Sequence, residues 1–441
     1  MSMEVWTKIA QFLLSLSILI VLHELGHFTF AKLFKTRVEK FYLFFNPWFS
    51  LFKFKRKDTE YGVGWIPLGG YVKITGMIDE SLDTEQLKSE PQPYEFRAKP
   101  TWQRLLIMIG GVLVNFVLAF IIYIAILFTW GDEYLATKDV TYGIAVDSLG
   151  QKIGLQNGDK ILSIGGKPSE NFLHIVPDLV LDQVSFIEVE RDSQRVKLPI
   201  TETMRRDLIE KQALIAPRIP CEVGKVMDDS PAKVAGLMAE DKIVGADSAD
   251  ARYIDQFQAY VQSHKGKSIS VALIRNGKPL NLPVKVSAEG TIGIAFNTDI
   301  AKFFHVSVQQ YTFWEAIPAG FVKGGDMIVS YAKQLKLLVT PGTGAYKSLG
   351  GFITIGKIFP STWDWHAFWN MTALLSIVLA IMNILPIPAL DGGHVLFLFY
   401  EMVTGRKPGD KFLEYAQITG MILLLALLVF ANANDVIKLF N

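Results

Sequence analysis

The stretch Ile18-Leu19-Ile20-Val21-Leu22-His23-Glu24-Leu25-Gly26-His27-Phe28-Thr29-Phe30-Ala31 sets two histidines and a glutamate within an otherwise almost wholly apolar run. A helix advances about 100° per residue, so His23 and His27 share one face and can clamp one zinc ion. Glu24 lies beside them, where it can take a proton from a water that the metal acidifies. From this chain's His and Glu frequencies, a chance HExxH match is expected on the order of once in two hundred such sequences, so the motif carries weight. Its setting adds more. Ionisable groups within a membrane span are costly unless they face a protein interior and have a function.

The apolar run around the motif extends from about Ile9 to Phe34, and there are three more: Leu105 to Trp130, about Phe368 to Leu390, and about Phe412 to Phe430. Each is near the roughly 20 residues that cross about 30 Å of hydrocarbon. The fold class expected is therefore a polytopic α-helical membrane protein with four transmembrane helices. The first run has only Lys8 against Glu4 ahead of it and no small-residue cleavage site after it, so it is expected to be a retained span and not a signal peptide. Forty-four Lys and Arg balance 43 Asp and Glu, which argues against nucleic acid as a partner. The single cysteine, Cys221, excludes an intrachain disulfide and a Cys-rich metal site.

Orientation is read from the basic residues near the span ends. The connection between spans one and two carries Lys32, Lys35, Arg37, Lys40, Lys53, Lys55, Arg56 and Lys57, then Arg97, Lys99 and Arg104. The connection between spans three and four carries Arg406, Lys407 and Lys411. Both are expected on the cytoplasmic side, which puts both termini and the long middle segment outside. The active site would then open towards the cytoplasm.

Residues 131 to 305 contain an internal repeat. Gly154-Leu155-Gln156-Asn157-Gly158-Asp159-Lys160-Ile161 recurs as Gly236-Leu237-Met238-Ala239-Glu240-Asp241-Lys242-Ile243. Alternating residues come next at Ser185 to Glu190 and at Ser268 to Ile274, the latter ending in a hairpin signal at Asn276-Gly277. The pattern from Ser230 to Ile243 resembles bacterial PDZ domains, which typically bind extended peptides by adding a strand to a sheet edge. The resemblance implies two PDZ-like domains of mixed strand and helix, 131–217 and 218–305, acting either as peptide binders or as steric guards. Tyr61-Gly62-Val63-Gly64-Trp65-Ile66-Pro67-Leu68-Gly69-Gly70-Tyr71-Val72-Lys73-Ile74 is expected to form two short strands around a Pro/Gly turn, a β-hairpin dipping into the membrane under protein cover. Gln310 to Thr340 is helical and apolar but interrupted by Lys323, Asp326, Lys333 and Lys336, which suits an interfacial amphipathic helix.

A catalytic zinc site needs a third protein ligand and keeps its fourth position for water. Span three ends in Asn383-Ile384-Leu385-Pro386-Ile387-Pro388-Ala389-Leu390-Asp391-Gly392-Gly393-His394. Asp391 is favoured, because the proline break lets it turn towards the metal and Gly392-Gly393 loosen the next turn; His394 is the alternative. Asn383 could hold substrate backbone, or equally bond between helices. In span two, Gly111 and Asn115 share a face, where packing is the expected role, with Asn115 able to bond to a neighbouring helix.

Together, HELGH, Gly-x-x-x-Asn and Asn-x-x-Pro-x-Pro-x-x-Asp-Gly-Gly-His resemble the site-2 protease family, and the tandem PDZ insertion is similar to its bacterial RseP-type members. The resemblance covers essentially the whole chain. It implies zinc on His23, His27 and Asp391, with Glu24 as catalytic base. It further implies substrate contacts from Asn383 and from the hairpin, including Gly69, Gly70 and Tyr71. The implied location is the bacterial inner membrane. The implied substrates are single-span proteins already cut once, such as anti-sigma factors, and signal-peptide remnants. A monomer is expected. The expected layout is 1–130 for the first two spans, the two PDZ-like domains, 306–366 for the amphipathic helix and linker, and 367–441 for the last two spans. The chain departs from the family pattern at Phe45-Asn46-Pro47, Val112, Gly351-Phe352-Ile353 and Val378.

Overall fold

A computed structural model describes residues 3–77, 90–211 and 214–440; the terminal residues assigned above to the outer side thus lie partly outside the described set. The chain divides into two compact units. The first holds the chain up to Gly131, then Gln310–Leu335 and everything from Leu349 onward; the second holds Asp132–Gln309 and Lys336–Ser348.

The first unit is built on helices α1 (Met3–Leu33), α2 (Thr101–Thr129), all but the last residues of α3 (Phe313–Val339), α4 (Phe352–Ile358), α5 (Trp365–Ile384), α6 (Asp391–Thr404) and α7 (Asp410–Phe440). Among the described residues, α1, α2, α5 and most of α7 are long and apolar enough to cross a membrane. Local chemistry explains their ends. Pro100 precedes the first turn of α2, and Asp364 caps α5 by accepting from the Ala367 N–H at 3.1 Å. Pro386 forces Leu385 into an extended conformation and stops α5. Helices α1 and α2 meet where Gly26 faces Gly110; a Cβ on Gly26 would lie 2.3 Å from the Gly110 carbonyl oxygen, so only glycine permits this approach. Ala119, Ile122, Tyr123 and Ile126 of α2 then bury against Ala373 and Ile377 of α5.

The amphipathic segment forms α3, whose first half runs antiparallel along α2. Phe313 meets Phe128, Gly320 backs onto Ile124, and Phe321 meets Phe120.

Between α1 and α2 lie β1 (Val38–Phe45), β2 (Phe52–Arg56), β3 (Thr59–Val63) and β4 (Ile66–Ile74), in the order β2-β3-β1-β4. This corrects the hairpin expected over Tyr61–Ile74. β3 and β4 do not pair; β1 lies between them, parallel to β3 and antiparallel to β4. The Gly64-Trp65 link crosses the end of β1, where the Gly64 N–H donates to Leu43 O and the Trp65 N–H to Phe45 O. The hairpin is β2–β3, with Phe52 opposite Val63 and Arg56 opposite Thr59.

The second unit contains two separate apolar cores. One gathers Leu135, Ile144, Leu149, Ile187, Val189 and Leu208, and the other Val223, Ile243, Phe257, Val271 and Val284. Each such fully buried side chain contributes roughly 1.5–3 kcal/mol. The sequence repeat is a structural repeat. Asp159 pairs with Arg191 at 2.7 Å and accepts from the Gln156 N–H, while Arg191 donates to Gly154 O. Asp241 pairs with Arg275 at 2.7 Å and accepts from the Met238 N–H, while Arg275 donates to Gly236 O. The alternating segments become strands Phe186–Arg191 and Ser268–Arg275, and Asn276 and Gly277 both take positive φ, as their hairpin signal predicts.

Candidate metal centre

Helix α1 brings His23 and His27 to one face, both buried. Their Nε2 atoms are 3.3 Å apart, and Asp391 Oδ2 stands 3.2 Å from one and 3.3 Å from the other. Two donors bound at about 2.0–2.1 Å to one tetrahedral ion stand about 3.3 Å apart, so the triangle has the dimensions of a zinc cradle. Asp391 Oδ2 is buried without a hydrogen-bond partner, as a ligand atom turned towards a shared ion would be. Asp391 and not His394 completes the histidine pair among the described residues.

The histidines are oriented from behind. His27 Nδ1 donates to Ile107 O at 2.8 Å, which leaves the Nε2 lone pair facing the cradle. His23 Nδ1 lies 3.1 Å from the amide of Asn115. For His23 Nε2 to be a ligand, Nδ1 must carry the proton and an oxygen must receive it. Asn115 Oδ1, otherwise buried without a partner, meets both needs when it faces His23. Ser376 of α5 donates to Asn115 O at 2.7 Å and ties this bond to a third helix. Gly111 makes room for the rings: a Cβ there would be 2.4 Å from His27 Nε2 and 2.7 Å from His23 Cε1. Packing thus describes Gly111, whereas Asn115 reaches the histidine itself.

Asp391 arrives differently from the expectation. It opens α6 instead of sitting in a loosened turn. Gly392 and Gly393 are helical and buried, pressed against the backbone of Ile384–Leu385 and Ile387–Pro388, so they permit close approach and do not loosen it. Gln417 of α7 accepts from the Ala389 N–H at 3.2 Å and braces the loop ahead of Asp391. A lone amide in an apolar span was a legible signal for Gln417. The Ile107 carbonyl and the Val72 N–H leave no mark in sequence.

Glu24 lines the same cavity of about 310 Å³ as His23, His27, Asp391 and Asn383. The Val72 N–H of β4 donates to its carboxylate. Asn383 Nδ2 stands 3.5 Å from His23 Nε2. Gly69, Gly70 and Tyr71 form the β4 wall. A Cβ on Gly70 would lie 2.7 Å from Ile20 Cγ2 and 3.6 Å from Glu24 Cγ, so glycine brings the strand backbone against Glu24. The divergent Asn46 accepts from the Tyr71 hydroxyl at 2.9 Å and steadies this wall. Phe352 packs its ring against Phe12 of α1.

The sequence model of peptidase family M50 matches residues 11–427. The chain is 30% identical to the regulator of sigma-E protease RseP of Escherichia coli, covering 98% of each chain. It is 28% identical to the regulator of sigma E protease of Haemophilus influenzae, over 98% of this chain and 99% of that one. A protein of Neisseria meningitidis provisionally named a zinc metalloprotease is 27% identical over 98% and 99%. With a matched region that takes in both histidines, Glu24 and Asp391, the chain belongs to peptidase family M50, the site-2 protease family of zinc-dependent intramembrane metalloproteases.

Proposed function

We propose that this protein cleaves membrane-embedded or near-membrane segments of single-span proteins already shortened by another protease, anti-sigma factors among them, and clears signal-peptide remnants. The observation that carries the site assignment is the triangle of His23 Nε2, His27 Nε2 and Asp391 Oδ2 at 3.2–3.3 Å. These three residues hold zinc, which supplies Lewis acidity towards a peptide carbonyl and acidifies water when bound. Glu24 is the base. Its carboxylate faces the cavity on the same helix, and the Val72 N–H fixes its direction. Asn383 donates to the substrate carbonyl as charge develops there.

A helical substrate hides its carbonyls in hydrogen bonds, so it must unwind first. The edge strand β4 compensates by pairing with the extended segment, with Gly69, Gly70 and Tyr71 at the contact. Exposed Trp48, Phe49, Phe52 and Phe54 favour immersion of this sheet in the cytoplasmic leaflet of the inner membrane. The two repeat bodies at 131–217 and 218–305 lie on the outer side and act as PDZ-like modules. A groove of about 470 Å³ lined by Phe257, Val261, Ile292 and Phe296 favours peptide capture by the second. The protein works as a monomer.

The test is cleavage of a single-span substrate by purified protein in detergent, native against Glu24→Gln. Cleavage that survives the substitution removes Glu24 from its role. A zinc-loaded native chain that cuts nothing favours a scaffold. Asp391→Ala should empty the zinc site; unchanged metal content moves the third ligand to His394. A zinc transporter, the remaining rival, predicts metal flux into vesicles that Glu24→Gln leaves intact.

A further inference from the structure

A second pocket lies at the far end of α1 from the N-terminus, about 12 Å along the axis from His27 by helical rise. Its cavity of about 410 Å³ is lined by Lys32, Lys35, Thr36, Arg37, Asp58 and Tyr94. Three cations face one carboxylate, and among the described residues none of the three is in an ion pair. Lys32 donates to Thr59 Oγ1 at 3.0 Å, and Arg37 lies over the Tyr94 ring at 5.7 Å.

Three independent features mark the pocket as built for an anion. Thr36 is only 2% exposed, and its hydroxyl has no hydrogen-bond partner. A buried donor without a partner is costly unless something accepts from it. Lys35 ends the helix at φ +55°, in a turn closed by Lys35 N–H to Lys32 O and Thr36 N–H to Ala31 O. Where a helix ends in this left-handed conformation glycine is the usual residue, and a lysine side chain there strains the backbone. The backbone of Arg37 is pinned on both sides, its N–H donating to Tyr94 O and its C=O accepting from the Thr75 N–H. The favourable interaction of cations with a helix C-terminus accounts for Lys32 and Lys35 as charges. It does not account for the strained backbone or the unpaired hydroxyl.

We propose that Lys32, Lys35, Thr36 and Arg37 bind a phosphate group, that of an anionic phospholipid at the membrane surface. The pocket sits where a spanning helix leaves the hydrocarbon, and a cationic cluster there attracts anionic headgroups. Such a contact holds α1 at a set depth and therefore fixes the depth of His23 and His27 in the membrane.

The full chain is placed in mixed micelles of phosphatidylcholine with either phosphatidylglycerol or inorganic phosphate, and retained ligand is measured by native mass spectrometry. Phosphatidylglycerol should be retained in preference to phosphatidylcholine. Lys35→Gly and Arg37→Gln should each weaken that retention about fivefold. Thr36→Val removes a hydroxyl that makes no bond within the protein and should weaken it about tenfold. Lys35→Gly should also raise the unfolding temperature, which separates lost binding from lost folding. Retention of inorganic phosphate in phosphatidylcholine alone would support the pocket but assign it to a free phosphate. Unchanged phosphatidylglycerol affinity in the Lys35→Gly/Arg37→Gln double variant overturns the proposal, as does a native chain that retains neither ligand selectively.

Discussion

Asn115 of α2 reaches across the helix interface and places its amide 3.1 Å from Nδ1 of His23, so a residue expected mainly to pack stands directly behind a histidine of the cradle. Removing such a partner lowers metal affinity about 10–100-fold without touching a ligand. Asn115→Ala should show that loss in a zinc competition assay. Asn115→Asp, which keeps an acceptor, should restore most of the affinity. Equal affinity in native protein and Asn115→Ala would return the residue to packing alone.

Gly111 offers a sharper steric test. A methyl group there overlaps His27 Nε2 and His23 Cε1 at 2.4 and 2.7 Å, so Gly111→Ala must push the rings apart or part the helices. A displacement near 1 Å at a reacting centre costs on the order of a hundredfold in rate. Peptidase activity should fall by about that much, while circular dichroism stays native.

Helix α6 carries Asp391, and a buried pair fastens that helix to α2. Arg104 Nη2 and Glu401 Oε1 are 2.5 Å apart, and Thr101 Oγ1 donates to the same oxygen. Breaking a buried pair by removing one partner costs about 3–5 kcal/mol. Glu401→Ala should therefore lower the unfolding temperature in detergent clearly and weaken zinc retention. Replacing both residues with apolar ones of similar size should recover much of the stability; a double variant as unstable as the single would contradict the burial argument.

Cys221 is buried in the second repeat's core, and burial pushes its thiol well above the usual range. Raising a thiol's pKa removes thiolate at every pH below it, so native protein should resist alkylation between pH 7 and 9. Labelling should begin with the unfolding of that body. Rapid labelling of native protein at pH 8 would show that the core opens readily.

Asp159 and Asp241 make equivalent bonds in separate cores. Asp241→Asn should cost about 3 kcal/mol in the second body, speed Cys221 labelling, and leave the first body's protection against hydrogen exchange unchanged.

Several parts of this architecture were legible from local sequence. The spans were visible because about 20 consecutive apolar residues have few other uses, and the proline break at Pro386 marked the end of α5. The repeat was visible because Gly154 and Gly236 serve the same turn before Asp159 and Asp241. The order β2-β3-β1-β4 was not visible. Adjacent strands joined by a Gly-Trp link invite a hairpin, and only the backbone bonds to Leu43 and Phe45 show that the link crosses β1. The roles of Gly392 and Gly393 were hidden for a similar reason, since flexibility and close packing demand the same residue type.

By itself the sequence determined the candidate set. His23 and His27 share a helix face, with Glu24 beside them, through a periodicity that depends on nothing beyond their own turn, and the apolar run around them places that turn in a membrane. Tertiary structure decided which distant groups serve them: Asp391 over His394, Asn115 behind His23, Ile107 O behind His27 and Val72 N–H on Glu24. Helical periodicity is written in a few neighbouring residues. These contacts join residues tens to hundreds of positions apart, and glycine allows the approaches behind them: Gly26, Gly110 and Gly111 between α1 and α2, Gly70 between β4 and α1, and Gly392 and Gly393 between α6 and the end of α5.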